Sequence, residues 1–393
     1  MAKITPSIPI LDLSWASNPD KKSKLLEQLH SALFDVGFLY ITNHGVPEST
    51  ISNLTDQLPT LFDLPQNEKA ALNKLNSPHF LGYSGFAEET TLGEQDLREQ
   101  FDFATELPVV YDVANQINNL KNETPSERDF SKLYWRLRGP NQWPSESSLS
   151  GFREAFTEYH DALEQLSYRF VHLIEEAFHI PIGTFDHFFG QQQPDFKPHG
   201  NETSKTFLPP QHRLKLLHYP PSTTTSASNQ GVGAHKDSSG WLTFLYQIGH
   251  APGLQVQLPN TGAWIPAPPI RNSFVVNFGN AFEAATEGAV RATVHRVIAP
   301  GPSGEARYSI PFFQGLPLDM TVREVRGYIP EEVRALRRQA QDAGDGGGDD
   351  RAAMFLDQRW DELGESQLRK WIRSHEDVGL KWYGRDVVDY YAQ

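Results

Sequence analysis

Apolar residues recur at helical spacing in long stretches of this chain and at alternate positions in many short ones. Between Lys21 and Val36 they fall at Leu25, Leu26, Leu29, Leu33 and Val36, which predicts a helix. Gly37 breaks it, and Phe38–Thr42 reads as a buried strand, with a shorter alternating strand expected over Ile8–Leu13. Pro47 is well placed to open a helix running toward Phe62. Phe101 and Phe103 alternate in a strand expected at Gln100–Ala104. The clearest helix spans Leu149–Phe178, where Phe152, Phe156, Tyr159, Leu163, Leu166, Phe170 and Leu173 form one stripe suited to packing on a sheet. Residues 193–212, rich in proline, are expected as a loop, and Ser222–Gln230 as a Ser/Thr-rich turn. From Leu214 to Phe313 short alternating runs are separated by Gly, Pro and Asn turns, the pattern of an all-β barrel or sandwich. After Pro317 helical spacing returns, interrupted by a low-complexity Gly/Asp stretch at 341–350 that should be flexible. No internal repeat is present.

Composition narrows the partners. The chain has 393 residues and 38 % hydrophobic content, enough for one large core with helical elaborations. Its net charge of −14, without a Lys/Arg cluster, argues against nucleic acid or an anionic membrane as partner. With no cysteine, disulfides and thiolate metal ligation are excluded. No signal-peptide-like run opens the chain and no window approaches the ~20 apolar residues of a membrane span. A cytoplasmic protein, monomeric or weakly dimeric, is expected.

The chemistry concentrates in two short motifs and a distant histidine. Gly233-Ala234-His235-Lys236-Asp237 places His235 and Asp237 two residues apart, so on a strand both side chains face one side. His295, in Ala292-Thr293-Val294-His295-Arg296-Val297, offers a third ligand from elsewhere. Two histidines and a carboxylate form the facial triad that holds Fe(II) with coordination positions open. Three protein ligands plus water also describe catalytic zinc. Arg307 and Ser309 repeat the alternate spacing, and a guanidinium beside a hydroxyl suits a bound carboxylate. Phe313, six residues beyond Arg307 on the same face, is a candidate substrate wall, as are Phe103, Phe207 and Trp241. For each of these aromatics ordinary core packing is the competing expectation.

Taken in order, His-x-Asp, His-Arg-Val and Arg-x-Ser resemble the iron- and 2-oxoglutarate-dependent dioxygenases, in the branch containing isopenicillin N synthase-like and plant flavonoid-type enzymes. Leu217-His218-Tyr219-Pro220-Pro221, Val276-Asn277-Phe278-Gly279-Asn280, Gly37-Phe38-Leu39-Tyr40-Ile41-Thr42-Asn43-His44-Gly45 and Arg138-Gly139-Pro140-Asn141-Gln142-Trp143-Pro144 also match, so the resemblance covers most of residues 8–320. The tail from Gly364 to Gly379 is similar to those of filamentous-fungal members, which hints at specialised metabolism.

The resemblance implies a mostly β core with helices, a double-stranded β-helix (jelly-roll) barrel flanked by amino- and carboxy-terminal helices. It implies an amino-terminal region over 1–145, a long helix and catalytic core over 146–320, and a helical extension over 321–393. It implies Fe(II) held by His235, Asp237 and His295, and 2-oxoglutarate and O2 as co-substrates. Arg307, Ser309 and Tyr219 would bind the distal carboxylate; Leu217 stands where the family often has an asparagine that would add a polar contact. The reaction implied is oxidation at a C–H bond of a small organic molecule, such as a natural-product intermediate, with release of succinate and CO2. Two alternatives share the motifs: an oxidase of the isopenicillin N synthase kind, which uses no 2-oxoglutarate, and a metal-binding homologue without turnover.

Overall fold

A computed structural model describes residues 7–111, 128–190, 207–221, 229–237, 240–302, 304–342 and 362–392. The expected loop at 193–212 and turn at 222–230 fall mostly outside these residues, and the 341–350 stretch almost wholly so.

Fourteen strands are found among the described residues: β1 (Ile10–Asp12), β2 (Phe38–Thr42), β3 (Gly82–Ser84), β4 (Thr90–Thr91), β5 (Glu94–Gln95), β6 (Glu99–Ala104), β7 (Arg213–Tyr219), β8 (Gln230–His235), β9 (Leu242–Ile248), β10 (Leu254–Gln257), β11 (Trp264–Pro266), β12 (Phe274–Phe278), β13 (His295–Ile298) and β14 (Arg307–Phe313). Eight make one sheet in the order β1-β2-β12-β9-β14-β7-β6-β3, and four make a second, β11-β10-β13-β8. Every pairing in these sheets is antiparallel except β1 with β2. Four strands from the first 104 residues therefore complete the sheet that the later strands build.

Alternation along the strands sorts the side chains into two cores. On β7, Leu214 and Leu216 face the long helix Phe152–Ala177, together with Phe244, Val276, Ile310 and Phe312. Leu217 and Tyr219 face the other way and share a core with Val232, Leu254, Val256 and Val297 of the smaller sheet. A third cluster joins Phe80, Tyr134 and Trp135 to Leu368, Trp371 and Ile372 of the helix Leu363–Ser374 and to Tyr383 and Tyr391 beyond it. Burying ring-sized side chains contributes roughly 1.5–3 kcal/mol each, so this third core holds the carboxy-terminal helices against the β layers.

The predicted elements differ from the observed ones mainly at their ends. The long helix starts at Phe152 because Gly151, at φ +71°, precedes it in a left-handed conformation. The helix expected from Pro47 to Phe62 is two, Glu48–Thr55 and Leu58–Phe62. Pro59 explains the break, since it lacks the N–H that a continuous helix would use. Gly37 does end the first helical segment, at φ +71°, and a Cβ there would meet the Arg291 carbonyl oxygen at 2.3 Å. No described helix is long and apolar enough to cross a membrane.

Candidate active site

His235 ends β8, and His295 begins β13, directly opposite it in the ladder. Asp237 follows β8 by two residues, and its carbonyl accepts the Asn280 N–H at 2.8 Å. That bond draws the Gly279–Asn280 turn against the Asp237 segment. A Cβ at Gly279 would sit 1.9 Å from the Gly240 carbonyl oxygen, so only glycine permits the approach.

Within this frame the three ligand-capable atoms converge. Asp237 Oδ1 lies 3.7 Å from His235 Nε2 and 3.6 Å from His295 Nε2. Each imidazole is oriented by the main chain two residues before it: His235 Nδ1–H donates to the Gly233 carbonyl (2.8 Å) and His295 Nδ1–H to the Thr293 carbonyl (3.0 Å). With Nδ1 protonated, both Nε2 atoms carry the lone pair a metal requires. Burial, reinforced by the neighbouring His295, pushes His235 down to about 3, so the ring is neutral at pH 7. Asp237 keeps one oxygen for the site and uses the other as an acceptor. Oδ2 receives Thr243 Oγ1–H at 2.7 Å and Asn277 Nδ2–H at 2.6 Å. Burial opposes the charge on Asp237, but His295, His235 and these two donors outweigh it and lower its pKa. Two imidazole nitrogens and a carboxylate oxygen, each supported from behind, fit a divalent iron with half its shell free.

The cavity of about 400 Å³ that these residues line extends to β14. There Arg307, Ser309, Pro311 and Phe313 all face inward, as their alternate spacing requires. The Arg307 guanidinium is 1 % exposed and has no carboxylate partner among the described residues. Its Nη1 donates to Ser309 Oγ (3.0 Å) and its Nη2 to Gln247 Oε1 (2.9 Å), while its Nε has no partner. It lies 4.9 Å from the centroid of the Tyr219 ring, its direct neighbour across the β7–β14 ladder. A buried cation without an anion is costly, and the free donor fits a carboxylate arriving in the cavity.

The aromatic candidates divide. Phe313 lines the cavity. Phe103 and Trp241, expected as walls, do not: they belong to the main core. Phe103 packs among Trp143, Phe152 and Phe156 because it points to the helix face of β6, and Trp241 stacks on Phe282 at 3.9 Å. Phe207 abuts Gly190 and is absent from the cavity lining. His218 faces away from Tyr219's side, stacked on Tyr308 and bonded to Glu99 at 2.8 Å.

Sequence reasoning missed Thr243, Asn277 and Gln247. Asn277 had a visible signal, a lone polar residue in the apolar run Phe274–Phe278. It also missed Lys215, Lys370, Trp371 and His375, which complete the cavity lining. The last three lie on or just after the helix Leu363–Ser374, too far along the chain for any local pattern to connect them to the site.

The fold and site together set three ligand-capable side chains and a buried guanidinium with a free N–H around one cavity. Residues 8–146 match the amino-terminal family of non-haem dioxygenases in morphine synthesis, and residues 210–315 match the 2OG-Fe(II) oxygenase superfamily. The chain is 40 % identical, over 96 % of its length and 92 % of the relative's, to the 2-oxoglutarate-dependent dioxygenase frbJ of Dothideomycetidae sp. strain 11243. It is 31 % identical, over 98 % of its length and 93 % of the relative's, to a 2-oxoglutarate-dependent dioxygenase of Gibberella zeae. Among solved structures, a full-length Neurospora crassa protein in complex with alpha-KG aligns with a TM-score of 0.63 at 22 % identity, covering 91 % of this chain and 97 % of that one. The chain belongs to the 2-oxoglutarate/Fe(II) oxygenase superfamily, among its fungal members.

Proposed function

We propose that His235, Asp237 and His295 are the protein ligands to Fe(II), and that Arg307, Ser309 and Tyr219 hold the far carboxylate of 2-oxoglutarate. The chain is a non-haem Fe(II)- and 2-oxoglutarate-dependent dioxygenase that oxidises a small organic molecule. The single observation that carries the residue assignment is the buried Arg307, with an unpartnered Nε, facing the cavity that the triad also lines.

Bound together, iron, 2-oxoglutarate and O2 supply the oxidising power, coupling decarboxylation to succinate with attack on a substrate C–H bond. The protein's own part is positioning. Thr243 and Asn277 fix the Asp237 carboxylate, the two backbone carbonyls fix the imidazoles, and Arg307 with Ser309 sets the co-substrate's far end. Phe313 would be the wall against which the substrate lies. The apolar lining from Leu217, Val232, Leu245, Leu254 and Val297 excludes water from the reacting atoms.

The two sheets, sharing one core, are read as the halves of a double-stranded β-helix, a jelly-roll barrel, with regions 1–145, 146–320 and 321–393 as parts of one unit. The substrate is read as a specialised metabolite rather than nucleic acid or membrane lipid, handled by a cytoplasmic monomer or weak homodimer. The net charge of −14 supports that reading.

Anaerobic titration of the Fe(II)-loaded protein with 2-oxoglutarate tests the co-substrate site. A weak visible charge-transfer band that saturates is the expected result. Absence of the band would favour an oxidase in which Arg307 holds the substrate's own carboxylate.

A further inference from the structure

Among the described residues most charges around the cavity are paired, and of the unpaired cations only Lys370 has neither a hydrogen bond nor an assigned role. Glu89 receives Lys74 at 3.0 Å and Arg98 at 2.9 Å, Asp102 receives Lys74 at 2.8 Å and Lys215 at 3.4 Å, and Arg98 also reaches Asp96 at 3.4 Å. Lys236 is bound to Glu283 at 2.9 Å. Arg213 donates to the carbonyls of His79, Phe80 and Leu137. Arg307 is assigned above to 2-oxoglutarate. Lys370 lines the same cavity and has neither an ion pair nor a hydrogen bond among the described residues.

Lys370 also stands in a concentration of positive charge. Its neighbour Trp371 is surrounded by cations, with Arg213 4.3 Å, Lys215 5.5 Å, Lys370 5.6 Å and Lys74 5.8 Å from its ring. Trp371 itself is 4 % exposed, and its Nε1–H has no acceptor. A buried donor without a partner is costly and points to a missing group. A recess of about 40 Å³ opens here, lined by Asp237, Phe313, Lys215, Lys370 and Trp371 among others. It leads from the metal triad to the free ammonium. Lys370 is exposed along part of its length, yet the protein around its ammonium and the nearby Lys215 push it down to about 8, and an anion there would offset the crowding of positive charge.

We propose that the oxidised substrate carries a carboxylate or equivalent oxyanion, received by Lys370 with Lys215 and the Trp371 indole N–H, so that Lys370 determines which molecules the enzyme accepts. This rests on the metal and co-substrate assignment above. The anion anchors one end of the substrate in the recess; the Asp237 side of the recess then sets which carbon faces the metal. Recognition comes mainly from the helix Leu363–Ser374, which supplies Lys370 and Trp371, with Lys215 added from β7.

The test uses the full-length Fe(II)·2-oxoglutarate complex under anaerobic conditions. Phenylacetate and hexanoate are each compared with their neutral amides by calorimetry, at saturating 2-oxoglutarate. The carboxylates should bind about tenfold or more tightly than the amides in the unaltered protein, the gain discounted for partial solvent access. Lys370→Gln should erase that preference and Lys370→Arg should keep most of it, while 2-oxoglutarate affinity, read from the charge-transfer band, stays put in both. If neither carboxylate outbinds its amide, or the preference survives Lys370→Gln, the proposal is overturned. If instead the unaltered protein shows no 2-oxoglutarate band at all, it is the underlying co-substrate assignment that has failed.

Discussion

Replacing Arg307 with alanine separates binding from stability in a way an ordinary buried arginine would not. Truncating one member of a buried charge pair costs about 2–5 kcal/mol, chiefly because the partner is left bare. Here the guanidinium has only neutral acceptors, Ser309 Oγ at 3.0 Å and Gln247 Oε1 at 2.9 Å. The free protein therefore loses two modest hydrogen bonds and is relieved of a desolvated cation, so its thermal stability should change little. The co-substrate complex loses the full charge-assisted contact. At about 1.4 kcal/mol per decade, the same 2–5 kcal/mol becomes roughly a thirtyfold to several-thousandfold weaker 2-oxoglutarate affinity. Arg307→Lys should fall between, since an ammonium keeps the charge but loses the forked geometry. The assay is anaerobic 2-oxoglutarate titration of Fe(II)-loaded protein, with a thermal melt of the metal-free protein alongside. Unchanged 2-oxoglutarate affinity in Arg307→Ala would refute the reasoning. So would a collapse of stability, which would mean that Arg307 is a structural cation.

Other outcomes follow from the same geometry. His235→Ala, Asp237→Ala and His295→Ala should each lose iron retention in anaerobic equilibrium dialysis and turnover with it, without unfolding; retained activity in metal-cleaned His295→Ala would refute the triad. Asn277→Ala and Thr243→Val should weaken metal affinity by about 10–100-fold without abolishing it, because they hold the Asp237 oxygen that does not face the metal. In Phe313→Ala, succinate should form in excess of oxidised product, since a substrate displaced by about 1 Å reacts roughly 10²-fold more slowly; a strict one-to-one ratio would make Phe313 a core residue only. Phe103→Ala should cost about 3–5 kcal/mol in a denaturant titration and leave 2-oxoglutarate affinity unaltered, as its burial among Trp143, Phe152 and Phe156 requires.

What could be read before folding was what depends on local spacing. The two-residue steps His235–Asp237 and Arg307–Ser309 encode a shared strand face, and the Phe152-to-Leu173 stripe encodes a helix side. Phe103 and Phe313 show where such reading stops. Both alternate properly on strands, but only the sheet's packing decides which face meets the helix and which meets the cavity. Lys370 and Trp371 were beyond reach for another reason. They come to Asp237 through the third hydrophobic cluster, a contact between segments more than a hundred residues apart that no periodicity records.

The two imidazoles are held by carbonyl groups two residues earlier in the chain, Gly233 for His235 and Thr293 for His295. Support of this kind is written in the main chain and carries no side-chain signature. A survey of related sequences would find no covarying partner for either histidine, however tightly each ring is held. The acceptor itself does not depend on which side chain stands at 233 or 293, because every amino acid brings the same carbonyl; Gly233 is constrained for a separate reason, since a Cβ there would sit 2.7 Å from Thr91 Cγ2. For a protein engineer the pair of strands is thus a portable part: a histidine and its orienting group travel together in three consecutive residues, and only the carboxylate needs its supporting donors designed around it.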